Sequence, residues 1–152
     1  MSTIGFVYDS RAEYLAAGFA EEQVAEFDTE DTISLIEAAL VRLGYTVDRV
    51  GNGRGLARRL ADGARWDLVF SIAEGVSGRS REAQVPAVCE MFDQPYVFSD
   101  PLTMAATLDK SVAKRIVRDA GIATAPFVVM ETGREDLGGW RHYPAFIKPL
   151  AE

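Results

Sequence analysis

The stretch DLVFSIAEG, residues 67–75, decides the fold class of this chain. Its centre, residues 68–72, is a short apolar run of strand-forming side chains, and a polar loop containing glycine follows at once. A short apolar run without alternation is typical of a strand that is buried on both faces. We therefore predict a buried strand over these residues, with a polar loop at its carboxyl end.

Upstream of this stretch the sequence alternates between strand and helix signals. Residues 3–8 form another apolar run and residues 45–50 read as a strand. Between them, residues 28–44 carry an N-cap signal, aliphatic side chains at helical spacing and a closing glycine. This order predicts an α/β fold with a parallel sheet covered by helices on both faces. Ligands of such sheets bind beyond the carboxyl ends of the strands. The expected ligand edge is therefore formed by Asp9-Ser10, Gly51-Asn52, the loop 73–81 and Ser99-Asp100.

Downstream, the pattern predicts further elements that alternate less regularly. A helix over 85–92 and a strand over 96–98 extend the sheet region. The remaining elements are helices and strands in pairs, namely helices over 101–108 and 109–120 and strands over 127–130 and 145–148. Asp100 and Pro101 give the first of these helices a capping residue followed by proline at the first helical position.

Composition excludes several classes of function. The 152 residues carry a formal net charge of −7, and nucleic acids and anionic membrane surfaces are bound through lysine and arginine. Hydrophobic residues make up 48% of the chain, which predicts a packed core. The single cysteine, Cys89, cannot form an internal disulfide, and no signal sequence or membrane-spanning run is found. We expect a cytoplasmic protein that binds neither nucleic acid nor membrane.

Three polar patches could carry chemistry. The loop residues Glu74 and Gly75, with Gly78 to Glu82 after them, allow a close backbone approach and could open a helix N-terminus toward an anion. Lys110 lies in the first turn of a helix, where a cation opposes the helix dipole, so an anion is a natural partner. Lys148 stands in an apolar strand signal, where a phosphate could pair with it. Taken singly, each patch has an ordinary structural explanation as a turn, a surface lysine or an edge-strand lysine.

Taken together in this order and spacing, the motifs resemble the D-alanine–D-alanine ligase family of ATP-grasp enzymes. The resemblance runs through nearly the whole chain and is strongest from Asp67 to Pro149. It is carried by five motifs, which are residues 67–75, 78–86, 95–101, 108–110 and 147–149, together with the segment 121–127.

The resemblance implies a Rossmann-like pre-ATP-grasp domain over residues 1–100 and the opening of an ATP-grasp domain over 101–152. Such enzymes use ATP and Mg²⁺ to activate a carboxylate as an acyl phosphate, which an amine then attacks. Lys110 and Lys148 match the two lysines that bind the nucleotide phosphates. The loop residues match a region that borders the small-molecule substrate, which implies substrate contacts for Glu74, Gly75, Ser80 and Arg81.

The sequence also departs from the family pattern at the substrate region. Glu74-Gly75 stands where typical members carry His-Gly, and Thr32 aligns with a glutamate that holds the substrate's amino group. These differences leave open a related carboxylate–amine ligase with a substrate other than D-alanine.

A further departure concerns the nucleotide site. The glycine- and serine-rich loop that covers the phosphates in the family, the adenine pocket and the acidic Mg²⁺ ligands are not among these residues, and no metal site is predicted. We expect the 152 residues to behave as a ligase fragment that is inactive by itself and holds neither ATP nor Mg²⁺ firmly. An alternative is a non-catalytic interaction module of the same fold that forms homo-oligomers.

Overall fold

A parallel sheet of three strands organises the protein, whose computed structural model describes residues 1–151. The strands are β1 (Thr3–Val7), β2 (Thr46–Gly51) and β3 (Leu68–Ser71). They lie in the order β2-β1-β3, and both pairings are parallel. The predicted α/β class with a parallel sheet is therefore confirmed, and the run 67–75 supplies one of its strands.

Six α-helices accompany the sheet within residues 1–151, and most begin at a residue whose side chain can cap them. They are α1 (Arg11–Ala16), α2 (Glu30–Arg42), α3 (Gly53–Ala61), α4 (Gln84–Met91), α5 (Pro101–Leu108) and α6 (Lys110–Asp119). Single 3₁₀ turns lie at Glu21–Val24 and Arg81–Ala83. Asp100 and Asp109 accept hydrogen bonds from backbone N–H groups in the first turns of α5 and α6, as the cap signals predict.

The sheet buries a separate apolar cluster on each face. Phe6 of β1 and Ile33 of α2 are fully buried together on one face, where Phe70 of β3 packs against them. On the other face, Val69 of β3 packs with apolar side chains from α3 and α4, among them Leu56, Leu60, Val85 and the free thiol of Cys89. Successive β3 residues thus point to opposite faces, which is why this strand lacks polar alternation.

The predicted strand over 96–98 is reduced to a single bridge. Tyr96 pairs with Val69 in parallel, the N–H of Val69 donates to the carbonyl of Pro95, and the N–H of Val97 donates to the carbonyl of Val69. Phe98, two residues further on, has a positive φ of 77°, which is not a strand conformation.

The predicted strands over 127–130 and 145–148 are wrong for this structure, in which both segments are extended without ladder pairing. Within residues 1–151, ladder pairing joins β1, β2 and β3, and isolated bridges join Ser10 to Asp28 and Val69 to Tyr96, so neither segment has a paired neighbour there. Phe146 and Ile147 are consequently 91% and 99% exposed. An apolar strand signal without an adjacent strand cannot form a ladder.

Among the described residues, no helix has the length and apolar character needed to cross a bilayer.

Candidate functional site

A cleft of about 360 Å³ opens beyond the carboxyl end of β3. Its lining includes Ser71 to Glu74, Ile36 of α2, Phe98, and Met104 of α5. The cleft therefore occupies the edge of the sheet that its parallel topology predicts for ligands.

Asp9, two residues after the end of β1, fixes the loop that borders this cleft. Its Oδ2 accepts a hydrogen bond from the N–H of Gly75 (2.8 Å), and its Oδ1 accepts one from the hydroxyl of Tyr14 (2.8 Å). Gly75 has a φ of +74°, and a Cβ there would lie 2.9 Å from the carbonyl oxygen of Arg81. Glycine at 75 is thus required both by its backbone conformation and by the close approach of the chain.

Four carboxylates line the cleft, namely Glu26, Asp28, Glu74 and Glu82. Burial, followed by the negative charge of Glu82, raises the pKa of Glu74 to about 7. Burial and the nearby Asp9 raise the pKa of Asp28 as well. A partly desolvated cluster of carboxylates attracts an ammonium group and can accept a proton near neutral pH.

Among the other residues predicted to bind substrate, Arg81 has a guanidinium that is engaged in hydrogen bonds within the chain. Its guanidinium donates to Glu26 Oε2 (2.7 Å) and to the carbonyl oxygen of Ala151, and its side chain is only 11% exposed. Ser80 is exposed at the start of the 3₁₀ turn, and its hydroxyl caps no backbone group there. The structure thus brings Glu74 and Gly75 to the cleft, whereas Arg81 links the cleft loop to the segment after Lys148.

Lys110 is the residue of the predicted site with the most unusual surroundings. Its ammonium nitrogen is shielded from solvent and has no hydrogen-bond partner within residues 1–151. Its backbone N–H donates to the carbonyl of Leu150 (2.9 Å), so the segment that carries Lys148 runs past the start of α6. A shielded cation without a partner is costly unless an anion completes the site.

The neighbouring cap residue Asp109 is held by the cleft loop. Its Oδ1 accepts from the N–H groups of Ser111 and Val112 and its Oδ2 from Arg79 Nε (2.6 Å). Burial alone would raise the pKa of the Asp109 carboxyl, but these hydrogen bonds and the Arg79 charge outweigh it and hold the pKa well below the usual range. Lys148, in contrast, is exposed on the extended segment.

Sequence reasoning missed part of this cleft. Glu26 and Asp28 come from the irregular stretch between α1 and α2, and Phe98 follows a single bridge. Asp9, in contrast, was expected at the ligand edge, because it follows the predicted strand 3–8. Within the described part of the chain, no group of three or more His, Cys, Asp or Glu side chains is arranged to hold a metal ion.

Sequence comparison shows which known proteins this chain is similar to. No protein-family model matches the chain. A D-alanine–D-alanine ligase of Syntrophotalea carbinolica is 32% identical over 138 residues, which are 91% of this chain and 43% of that ligase. A D-alanine–D-alanine ligase of Sinorhizobium fredii is 33% identical over 83% of the chain and 42% of its own length. The chain thus spans less than half the length of these curated relatives.

Solved structures agree in fold. The crystal structure of D-alanine–D-alanine ligase from Bacillus anthracis superposes with a TM-score of 0.61 at 23% identity, over 90% of this chain and 40% of that chain. The same enzyme complexed with ATP gives a TM-score of 0.55 at 20% identity. The chain therefore belongs to the D-alanine–D-alanine ligase-like ATP-grasp family and corresponds to its N-terminal portion.

Proposed function

We propose that this chain forms the substrate side and the first phosphate-binding element of an ATP-dependent carboxylate–amine ligase. In this proposal, residues 1–100 are the pre-ATP-grasp domain and residues 101–152 open the ATP-grasp domain. The relatives at 32% and 33% identity are named for joining two amino acids, which supports an amino acid as the small-molecule substrate. A cytoplasmic location and the absence of nucleic-acid or membrane partners belong to the same proposal.

The observation that carries the proposal is the ammonium of Lys110, which is shielded from solvent and has no hydrogen-bond partner in the described part of the chain. Within residues 1–151 it has no acceptor, although it stands at the N-terminus of α6, where backbone N–H groups also favour negative charge. A phosphate oxygen supplies the missing acceptor, so the residue fits a nucleotide phosphate. Lys148 could approach from the segment that is hydrogen-bonded to Lys110 through Leu150.

The acidic cleft is the proposed site for the amino group of the substrate. Glu74 and Glu82 stand together there, and Asp28 lines the same cleft. An ammonium group between these carboxylates would be stabilised by charge, and a carboxylate with a pKa of about 7 can hold or release a proton at neutral pH. Gly75 stays in the proposal as the residue that brings the loop backbone close, and Ser80 as an exposed hydroxyl at the rim.

ATP, with Mg²⁺, would supply the phosphoryl group that activates the substrate carboxylate. The contribution of this chain is to bind and orient, because positioned cations stabilise the charge on a transferring phosphoryl group. We expect the 152 residues alone to bind Mg-ATP weakly and to show no turnover, since they match only 43% of the length of a curated ligase.

A titration followed by NMR tests this assignment. Mg-ATP at millimolar concentration should shift the amide signals of Lys110 and its neighbours in α6, and Lys110→Met should abolish those shifts. Lys114→Met is the matched control, because the Lys114 ammonium already donates to Thr124 Oγ1 (2.9 Å) and to the carbonyl of Ala125 (3.1 Å). Micromolar affinity would contradict the expected weak binding, and shifts that survive Lys110→Met would contradict the role of this lysine.

A second function, a non-catalytic association module, is favoured by the exposed apolar side chains. Besides Phe146 and Ile147, the outer face of α2 presents Leu35, which is 70% exposed. Apolar residues exposed in this way are typical of surfaces that bind another chain. Sedimentation velocity over a range of concentrations separates the two functions. A dimer whose formation does not change with Mg-ATP, together with no NMR shift at Lys110, favours the association module.

A further inference from the structure

Phe98 combines a strained backbone with an exposed aromatic ring. Its φ is +77°, in the left-handed region that glycine adopts readily and bulky side chains avoid. Its side chain is 66% exposed. A largely exposed ring contributes little burial to the fold, so folding alone does not account for a phenylalanine here. Residues kept in unfavourable conformations cluster at binding sites.

The ring lies at the mouth of the acidic cleft. Phe98 lines the cleft together with Met104 and Ile72, while Glu74 and Glu82 line it as well. The ring packs edge-on against Phe70 with centroids 5.3 Å apart, and Phe70 packs in the same way against Phe6 of the core at 5.9 Å. This row of rings anchors one edge of Phe98 and leaves the remainder of its surface free.

We propose that Phe98 is a specificity-determining residue that selects an amino acid with an apolar side chain larger than a methyl group. The inference rests on the proposed function, in which the cleft binds the substrate's amino group. An amino acid bound by its ammonium at the carboxylates can extend its side chain toward Phe98 and Met104 in the same cleft. A methyl group covers little of that apolar wall, whereas the side chain of leucine or phenylalanine can cover the ring.

Amino-acid binding by the whole chain tests this proposal. D-alanine, D-leucine and their L-enantiomers are titrated by NMR against the native chain and against Phe98→Gly, which also removes the left-handed strain. We expect the preferred enantiomer of leucine to bind at least about tenfold more tightly than that of alanine in the native chain. In Phe98→Gly this ratio should fall to within about threefold, with the affinity for alanine unchanged.

Two further variants control for strain and for bulk. Asp93→Gly relieves the other non-glycine residue with positive φ (52°), which lies outside the cleft lining, and it should leave the ratio as in the native chain. Phe98→Leu keeps an apolar side chain and should retain most of the preference for leucine.

The possible failures are distinguishable. If Phe98→Gly leaves the ratio of the leucine and alanine affinities unchanged, the proposed role of Phe98 is overturned. If Glu74→Gln nevertheless abolishes the binding of both amino acids, the cleft remains the amino-acid site. A native chain that binds alanine as tightly as leucine also overturns it. If neither amino acid binds to any variant at tens of millimolar, the cleft assignment itself is overturned, and this inference with it.

Discussion

Arg79 donates a hydrogen bond from Nε to Oδ2 of Asp109 over 2.6 Å, which ties the loop beyond β3 to the first residue before α6. The two partners differ in exposure, since the Arg79 side chain is 68% exposed and that of Asp109 is buried. The contact joins the loop that borders the acidic cleft to the helix that begins with Lys110. The loop that borders the cleft is therefore held directly to the start of the helix that carries the proposed phosphate-binding lysine.

Replacing either partner should destabilise the fold unequally. Asp109→Asn removes the charge that accepts from Ser111, Val112 and Arg79, and we expect a loss of about 1–2 kcal/mol in the free energy of unfolding at pH 7. Arg79→Gln should lose only about 0.5–1 kcal/mol, because the Arg79 side chain is largely exposed and solvent screens its charge. Urea unfolding measures both.

The pH dependence gives the control for this pair. The pKa of Asp109 is lowered in the fold, so its contribution is complete above the ordinary carboxyl pKa of about 4 and is lost as the pH falls further. The difference between native protein and Asp109→Asn should shrink below that pH. An equal effect of both variants would show that the cap and the Arg79 contact cannot be separated.

Alanine at Gly75 should perturb the cleft more than alanine at Gly78. Both glycines have positive φ, at +74° and +103°, so both variants carry a conformational cost of about 1–2 kcal/mol. Only at Gly75 would the new Cβ meet backbone, 2.9 Å from the Arg81 carbonyl oxygen; at Gly78 the nearest atom is Gln84 Nε2 at 3.5 Å. We expect an additional loss of about 1 kcal/mol or more for Gly75→Ala.

Thermal unfolding of the two glycine variants side by side measures that difference. The amide signal of Gly75, which donates to Asp9, should shift or broaden only in the variant that moves this loop, so in Gly78→Ala it should be retained. Equal losses of stability for both variants would mean that the loop yields easily around residue 75.

The elements that could be predicted from sequence are those whose ends are fixed by local chemistry. Asp100 with Pro101, and Asp109, mark the starts of α5 and α6, and Gly44 at a φ of +92° closes the α2 region. These signals depend only on neighbouring residues. The apolar run of β3 was equally clear, because a strand buried on both faces tolerates few polar side chains.

What could not be predicted depends on distant partners. The segments 127–130 and 145–148 have strand-forming sequences, but a ladder also requires an adjacent strand, which is information outside the segment itself. The sequence around Glu26 did not indicate a cleft residue, because only the tertiary fold brings the irregular stretch after α1 close to Glu74. Arg81 was predicted to touch substrate, and its short-range sequence context could not reveal Glu26 as its partner.

Glu74→Gln should stabilise the protein at alkaline pH and change it little in acid. The pKa of Glu74 is raised from the ordinary value near 4.5 to about 7, chiefly by burial and then by Glu82. A carboxyl with a raised pKa costs no stability below its unfolded pKa, and its cost grows as the pH rises until it is complete above 7. After allowance for solvent screening at this half-buried site, we expect a gain of roughly 1–2 kcal/mol at pH 8.

Urea unfolding at pH 5 and pH 8 checks this prediction for Glu74→Gln. Glu82→Gln is the companion variant, and it should give a smaller gain at pH 8 because the burial of Glu74 remains. A gain for Glu74→Gln that is as large at pH 5 as at pH 8 would contradict the raised pKa and point to altered packing instead.

Lys110→Met should stabilise the ligand-free protein, although the residue is proposed to bind phosphate. The native ammonium is shielded and has no partner within residues 1–151, so replacing it with an apolar side chain of similar length should gain about 1 kcal/mol. Lys114→Met should instead lose about 1 kcal/mol, because the Lys114 ammonium donates to Thr124 and to Ala125.

Thermal unfolding without and with millimolar Mg-ATP measures both effects. The native protein and Lys114→Met should gain stability from the nucleotide, and Lys110→Met should gain none, since a ligand stabilises only a fold that binds it. A loss of stability in ligand-free Lys110→Met would show that the ammonium already has a partner and that its burial is no sign of a missing anion.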